Sequence, residues 1–304
     1  MKMKLLATAA MAVALTAGAA QTAHANPYAF ATTNFSAFHI ATSAGITVNS
    51  VSVTTSDSSE YPGTTATVKT QVRTILGANN PGSDVAQAKN GPGPFPVENT
   101  FAESVLKGGK GSRGDAQVGT GNPFTTGSSA GDVAENRLID SMVPGGTAIS
   151  ATGKQLELVN LTTTRPNTVI TFTFHAEAHL HTIVDPVIAG ETANAQNQNS
   201  ISIANSTGQV LAGGLFAPTE LNGNISSISP LPPTEVIFDS TSVNPSGNYT
   251  FAFTFPTTGR FQITLSSAAL ETVSTPIPEP VSMMLLGTGL VGLGLLRRRS
   301  AKRS

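Results

Sequence analysis

The chain has 304 residues, no cysteine, no tryptophan and only 12% charged residues, with a formal net charge of −1. Between its two ends so sparse a basic complement lacks the clustered Lys/Arg that phosphate backbones need, which excludes nucleic acid as a partner; without cysteine the fold must rest on core packing, not disulfides. Seven of the 17 basic residues lie near the two ends, leaving ten against 17 acidic residues between Asn26 and Ile277, so the body carries a charge near −7.

At the start, Lys2 and Lys4 precede the apolar stretch 5–15, and Ala23-His24-Ala25 supplies the small-x-small pattern cut by a signal peptidase. Residues 1–25 are therefore expected to be a signal peptide, with Asn26 the first mature residue. From 26 to about 56 the pattern is irregular and then alternates through Ile46, Val48, Val51 and Val53, with a phase slip near Ser50. Residues 65–76 alternate cleanly, Ala66, Val68, Thr70 and Val72 against Thr67, Lys69, Gln71 and Arg73, which predicts a half-solvated antiparallel strand. Turn-rich runs then dominate 77–131, read as mostly loop with a short helix over 98–106; a second short helix is expected over 133–142.

Strand signals return at regular spacing over 156–161, 168–184, 200–204, 235–239, 248–255 and 260–266. Tyr249, Phe251, Phe253 and Phe255 share one face, and Thr257-Thr258-Gly259 can turn the chain so that Phe261, Ile263 and Leu265 join the same core. The expected fold class is all-β: one antiparallel β-sandwich of jelly-roll or immunoglobulin-like kind over 26–272, with a long loop region and one C-terminal apolar helix.

The end of the chain, 273–304, has three parts in order. Pro278-Glu279-Pro280 holds the backbone open, 281–296 is an uncharged apolar run, and Arg297, Arg298 and Arg299 open a basic end. Sixteen helical residues span roughly 24 Å, slightly short of a hydrocarbon core of about 30 Å, a mismatch that thinning and snorkelling arginines close. The basic end predicts a transmembrane helix with the body outside. This tail resembles the PEP-CTERM sorting tail of bacterial proteins. The resemblance implies recognition and removal by an exosortase, transient anchoring in the inner membrane, and release to the cell surface or exopolysaccharide matrix. Asp132-Val133-Ala134-Glu135-Asn136-Arg137-Leu138 also resembles the Asp-Ser-Ala-x-x-Arg-Ile stretch of a subgroup of those proteins, at Asp132, Ala134 and Arg137.

Three patterns bear on chemistry. On a strand, His175, Glu177, His179 and His181 share one face at about 6.6 Å spacing and could hold zinc or copper; the plainer reading is a solvent face backing a Phe/Ala/Leu core. Gly127-Ser128-Ser129-Ala130-Gly131 fits a nucleophile elbow but follows no apolar strand, and Arg113-Gly114-Asp115 reads as a solvated turn. The expected function is an exported structural or interaction protein of the cell surface or matrix, without catalytic activity or cofactor. Its processing partners are signal peptidase and exosortase, with exopolysaccharide a candidate ligand. The alternatives are a carbohydrate-binding module, disfavoured by zero Trp and three Tyr, and a metal-dependent enzyme on His175, His179 and His181.

Overall fold

The computed structural model describes residues 26–103, 109–138, 148–186 and 190–275. Fifteen strands carry almost all of the regular structure. In chain order they are β1 Tyr28–Thr42, β2 Ile46–Ser59, β3 Thr67–Leu76, β4 Ser83–Asp84, β5 Ala88–Gly93, β6 Lys110–Val118, β7 Ser128–Arg137 and β8 Ala148–Thr163. They continue with β9 Thr168–Ile183, β10 Thr192–Asn205, β11 Val210–Phe216, β12 Asn224–Ile228, β13 Glu235–Asp239, β14 Asn248–Phe255 and β15 Gly259–Ser274. All pairings between them are antiparallel.

An eight-stranded sheet runs β13-β9-β1-β7-β6-β4, with β14 also on β9 and β5 on β6; a seven-stranded sheet runs β11-β10-β15-β8-β2-β3, with β12 also on β10. The inner faces share two apolar cores. The larger is aromatic and aliphatic, joining Ile170, Phe172, Phe174, Tyr249, Phe253 and Phe255 of one sheet to Val51, Val53, Leu161, Ile203, Phe261 and Ile263 of the other. Burying a side chain such as Phe172 or Ile263 contributes about 1.5–3 kcal/mol. The second is built mostly of alanines, including Ala29, Ala31, Ala134, Ala151, Ala193, Ala195 and Ala269. Here the sheets touch through glycine: a Cβ on Gly114 would lie 2.2 Å from the Thr152 carbonyl, and one on Gly153 would lie 2.3 Å from that of Asp115.

A polar row separates the two cores. Register aligns Thr55, Gln155, Ser267 and Asn199 across β2, β8, β15 and β10, all buried. The Ser267 hydroxyl donates to the Asp132 carboxylate of the facing sheet, and Asn199 Nδ2 donates to Thr33 Oγ1 at 3.2 Å. Burial raises the pKa of Asp132 to about 7, against the opposing effect of hydrogen bonds from Ser267 and the Thr33 amide.

Several expectations are met and others corrected. β13 and β14 have the expected bounds, and the slip near Ser50 is a register shift between Val48 and Ser50. The aromatic face of β14 does pack with Phe261 and Ile263, but the turn at 257–259 crosses between sheets, because β14 pairs with β9 and β15 with β8 and β10. The alternation of β3 is reversed: Val68 and Val72 are 67% and 61% exposed, while Lys69 and Gln71 turn in to bond Gln87 O and Asp84 N. The region 77–131 is mostly irregular, as expected, but it also holds β4, β5, β6 and the start of β7, which the sequence did not show. No helix forms at 98–103 or 133–138; the remainder of both expected helices lies outside the described residues. β7 is buried on both faces, with Asp132, Val133, Ala134, Glu135 and Asn136 all covered, so it carries no period-two signature.

The signal peptide with Ala23 and Ala25, and the tail with Pro278, Glu279, Pro280, the helix 281–296 and Arg297, Arg298 and Arg299, lie outside the described residues. Among the described residues no helix is long and apolar enough to cross a membrane.

Candidate functional site

The outer face of the eight-stranded sheet concentrates the chain's ionisable side chains. Register sets Arg113, Glu135, Phe30, His181 and Ile237 side by side across β6, β7, β1, β9 and β13. The next outward-facing row is Asp115, Val133, Thr32, His179 and Asp239. Over this face lies the segment 94–103, whose Phe95 and Phe101 pack on Tyr28, Phe30 and Val133 as a third apolar cluster. A Cβ on Gly131 would sit 2.8 Å from the Phe101 ring, so glycine there lets the segment lie flat on the sheet.

Polar contacts pin the segment. Arg113 Nη1 and Nη2 donate to the carbonyls of Thr100 and Ala102 at 2.7 and 3.1 Å, while its Nε donates to Glu135 Oε2 at 2.7 Å. Tyr28 Oη donates to the other Glu135 oxygen at 2.8 Å. Both side chains of the Arg113–Glu135 pair are fully buried, where a charge-assisted bond is strong but an unpaired charge would be costly. Burial, with the charge of Glu135 added, pushes the Tyr28 hydroxyl far above its ordinary pKa, so it remains a donor. The Asn99 amide donates to Asp115 Oδ2 at 2.6 Å. Burial raises the Asp115 pKa to about 6, opposed by that amide and by Arg113.

The histidines occupy this face as their alternation predicts, opposite the buried Phe172, Phe174, Ala176, Ala178 and Leu180, but they divide into two groups. His175 Nε2 lies 3.2 Å from Glu177 Oε1 as an exposed pair, its ring against Gly247. His179 and His181 instead meet Glu103 at the end of the covering segment, with one donor atom from each residue within 4.8 Å of the others. His181 Nδ1 is 2.9 Å from Glu103 Oε1, and its Nε2 is 2.9 Å from Glu235 Oε1. His179 Nδ1 is 3.8 Å from Asp239 Oδ2. Burial works against the Asp239 charge, but hydrogen bonds from Thr241 and the neighbouring His179 outweigh it and hold that pKa below the usual carboxylate range. The two histidines are only 2% and 32% exposed, against 37% for His175.

The other sequence patterns resolve differently. Arg113-Gly114-Asp115 is not a solvated turn: it lies within β6, with both charged side chains fully buried. Ser128 and Ser129 open β7 beside a shallow depression shared with Asp84, Gln117 and Thr126, whose lining contains no histidine. Tyr28, Tyr61 and Tyr249 are all buried and offer no stacking platform for a sugar. Sequence reasoning missed Arg113, Glu135 and Glu103 as members of one site. The available signal was charge inside a small-residue stretch of a charge-poor chain.

No family model, no curated protein and no solved structure matches the chain. Its chemistry is therefore read from its own geometry.

Proposed function

We propose that the chain is an exported, non-catalytic structural or interaction protein of the cell surface or extracellular polysaccharide matrix, processed at its start by signal peptidase and at its end by an exosortase. The observation that carries this reading is the outward face of the seven-stranded sheet. There, Ser52, Thr54 and Ser56 of β2, Thr264 and Thr272 of β15 and Asn194, Gln196, Gln198 and Ser202 of β10 alternate with the buried positions. Thr264 beside Ser202 and Thr272 beside Asn194 set uncharged hydroxyl and amide groups about 4.8 Å apart across β15 and β10, while those of β2 lie beyond Leu156 and Leu158 of β8; such groups suit hydrogen bonding to a hydrated, polyhydroxylated matrix.

The layering supports a β-sandwich of jelly-roll or immunoglobulin-like kind, since the chain passes between sheets from β1 to β2, β8 to β9, β9 to β10 and β14 to β15. All of these strands lie between Ala25 and Pro278, although β15 runs to Ser274, two residues past the expected end of the sandwich at 272. Mass spectrometry of cell-surface and secreted fractions tests the proposal: the expected form begins at Asn26 and has lost Arg297, Arg298 and Arg299. A full-length C-terminus held in the inner membrane would overturn it in favour of a permanent anchor.

A further inference from the structure

We infer that Glu103, His179 and His181 form a binding site for a divalent transition-metal ion of the zinc class, and that the ion fastens the segment 94–103 to the outer face of the eight-stranded sheet. Two imidazoles and a carboxylate are ligand types that zinc takes, at about 2.0–2.2 Å from each donor atom. Tetrahedral donors are then roughly 3.4 Å apart. The three donors here already lie within 4.8 Å of one another. Glu103 comes from an irregular segment, so it can close the remaining distance without moving a strand.

The surroundings of the histidines point the same way. A metal-bound imidazole characteristically donates its second N–H to a carboxylate, which fixes the tautomer and raises ligand basicity. His181 has such a partner, Glu235 of β13 at 2.9 Å from its Nε2; Asp239, also of β13, stands 3.8 Å from Nδ1 of His179, a neighbouring charge beyond hydrogen-bond length. Each ring thus has one nitrogen beside a β13 carboxylate, and the other nitrogen of His181, Nδ1, faces Glu103 Oε1 at 2.9 Å, a pair of donor atoms that an ion would bridge. Phe30 and Tyr28 flank the imidazoles with centroids 5.9 and 5.8 Å away, lowering the local dielectric around the charge. His175 and Glu177, also ligand types and on the same strand face, pair with each other outside the cluster.

Occupancy would have a structural consequence. Glu103 follows directly on the carbonyls of Thr100 and Ala102 that Arg113 holds, so an ion there adds a cross-link at the far end of the covering segment. The aromatic contacts of Phe95 and Phe101 belong to the same segment.

The test is titration of the full-length chain in detergent micelles with Zn²⁺ by calorimetry and with Co²⁺ by visible absorption, alongside hydrogen exchange of the amides in 98–103. Saturable binding of one equivalent is expected, with the strong absorption of low-coordinate cobalt and slower exchange at Phe101 when the ion is bound. Glu103→Gln and His179→Ala should each weaken binding at least tenfold, Glu235→Gln by about 10–100-fold, and His175→Ala should leave it unchanged. The absence of saturable binding overturns the inference. So does binding that survives both Glu103→Gln and His179→Ala, or that His175→Ala weakens equally, because the ion would then sit elsewhere. Glu103 and His179 are partly exposed, so their variants test the site without removing a core side chain.

Discussion

Arg113 is the largest fully buried side chain among the described residues, and its three donors each have a separate acceptor. Replacing it with alanine would leave the Glu135 carboxyl buried without its guanidinium partner, a loss expected to cost about 3–5 kcal/mol. Urea unfolding should show the midpoint falling accordingly, and Arg113→Lys should recover little, because an ammonium cannot reproduce the planar fork that serves one carboxylate and two carbonyls. An unchanged midpoint would mean that the pair contributes nothing net. The identity of Arg113 was plain in the sequence, but its burial was not. Charge at alternate strand positions reads as a solvent face, and here the face is covered by a segment that contacts it only in the folded chain.

At the scale of elements, the strands fall into two kinds. β9, β13 and β14 were legible because they alternate or end at clear turns, as Phe172, Phe174, Ala176 and Ala178 do against Thr173, His175 and Glu177. β6 and β7 were not, because both of their faces are covered: Gly114 and Ala134 lie towards the other sheet, Arg113 and Glu135 beneath 94–103. Close sheet contact through Gly114 and Gly153 leaves no room for a side chain. Gly153→Ala would place a methyl 2.3 Å and 2.5 Å from the carbonyls of Asp115 and Val133, and backbone cannot move aside as a flexible side chain would. A destabilisation of about 1–3 kcal/mol is expected from this overpacking. Thermal unfolding checks it: a Tm equal to that of the unsubstituted protein would show that the layers separate there without strain.

For the whole molecule, the interior holds an unusual store of carboxyl groups. Burial, reinforced by the charge of Asp115, raises Asp57 to about 9; the nearby Ala116 amide offsets this only partly, and neither carboxylate oxygen makes a well-formed hydrogen bond. Burial also raises Glu157 to about 7 and lifts Glu271 well above its ordinary value. A raised folded-state pKa means that the folded protein keeps protons the unfolded chain has released. The stabilisation is complete below the unfolded values near 4 and is lost as pH rises through about 6 for Asp115, about 7 for Asp132 and Glu157, and about 9 for Asp57. The protein should therefore be more stable in mild acid than in mild base, with Tm falling between about pH 5 and pH 9, and Asp57→Asn should flatten the upper part of that fall. A Tm that rises over the interval would show that these carboxyls ionise freely in the folded state.

From the sequence alone came the all-β class, the histidine face of β9, and the expectation of two sorting signals, which rests on it entirely. Each is a local pattern, written within a few neighbouring residues by one-sided burial or by composition. Only the tertiary structure decided that Glu103 joins His179 and His181, that Tyr28 meets Glu135, and that Ser267 meets Asp132, pairs separated by 78 (Glu103–His181), 107 and 135 positions. Contacts across sheets depend on which layer each strand joins and on its register there, and neither leaves a mark in the residues nearby.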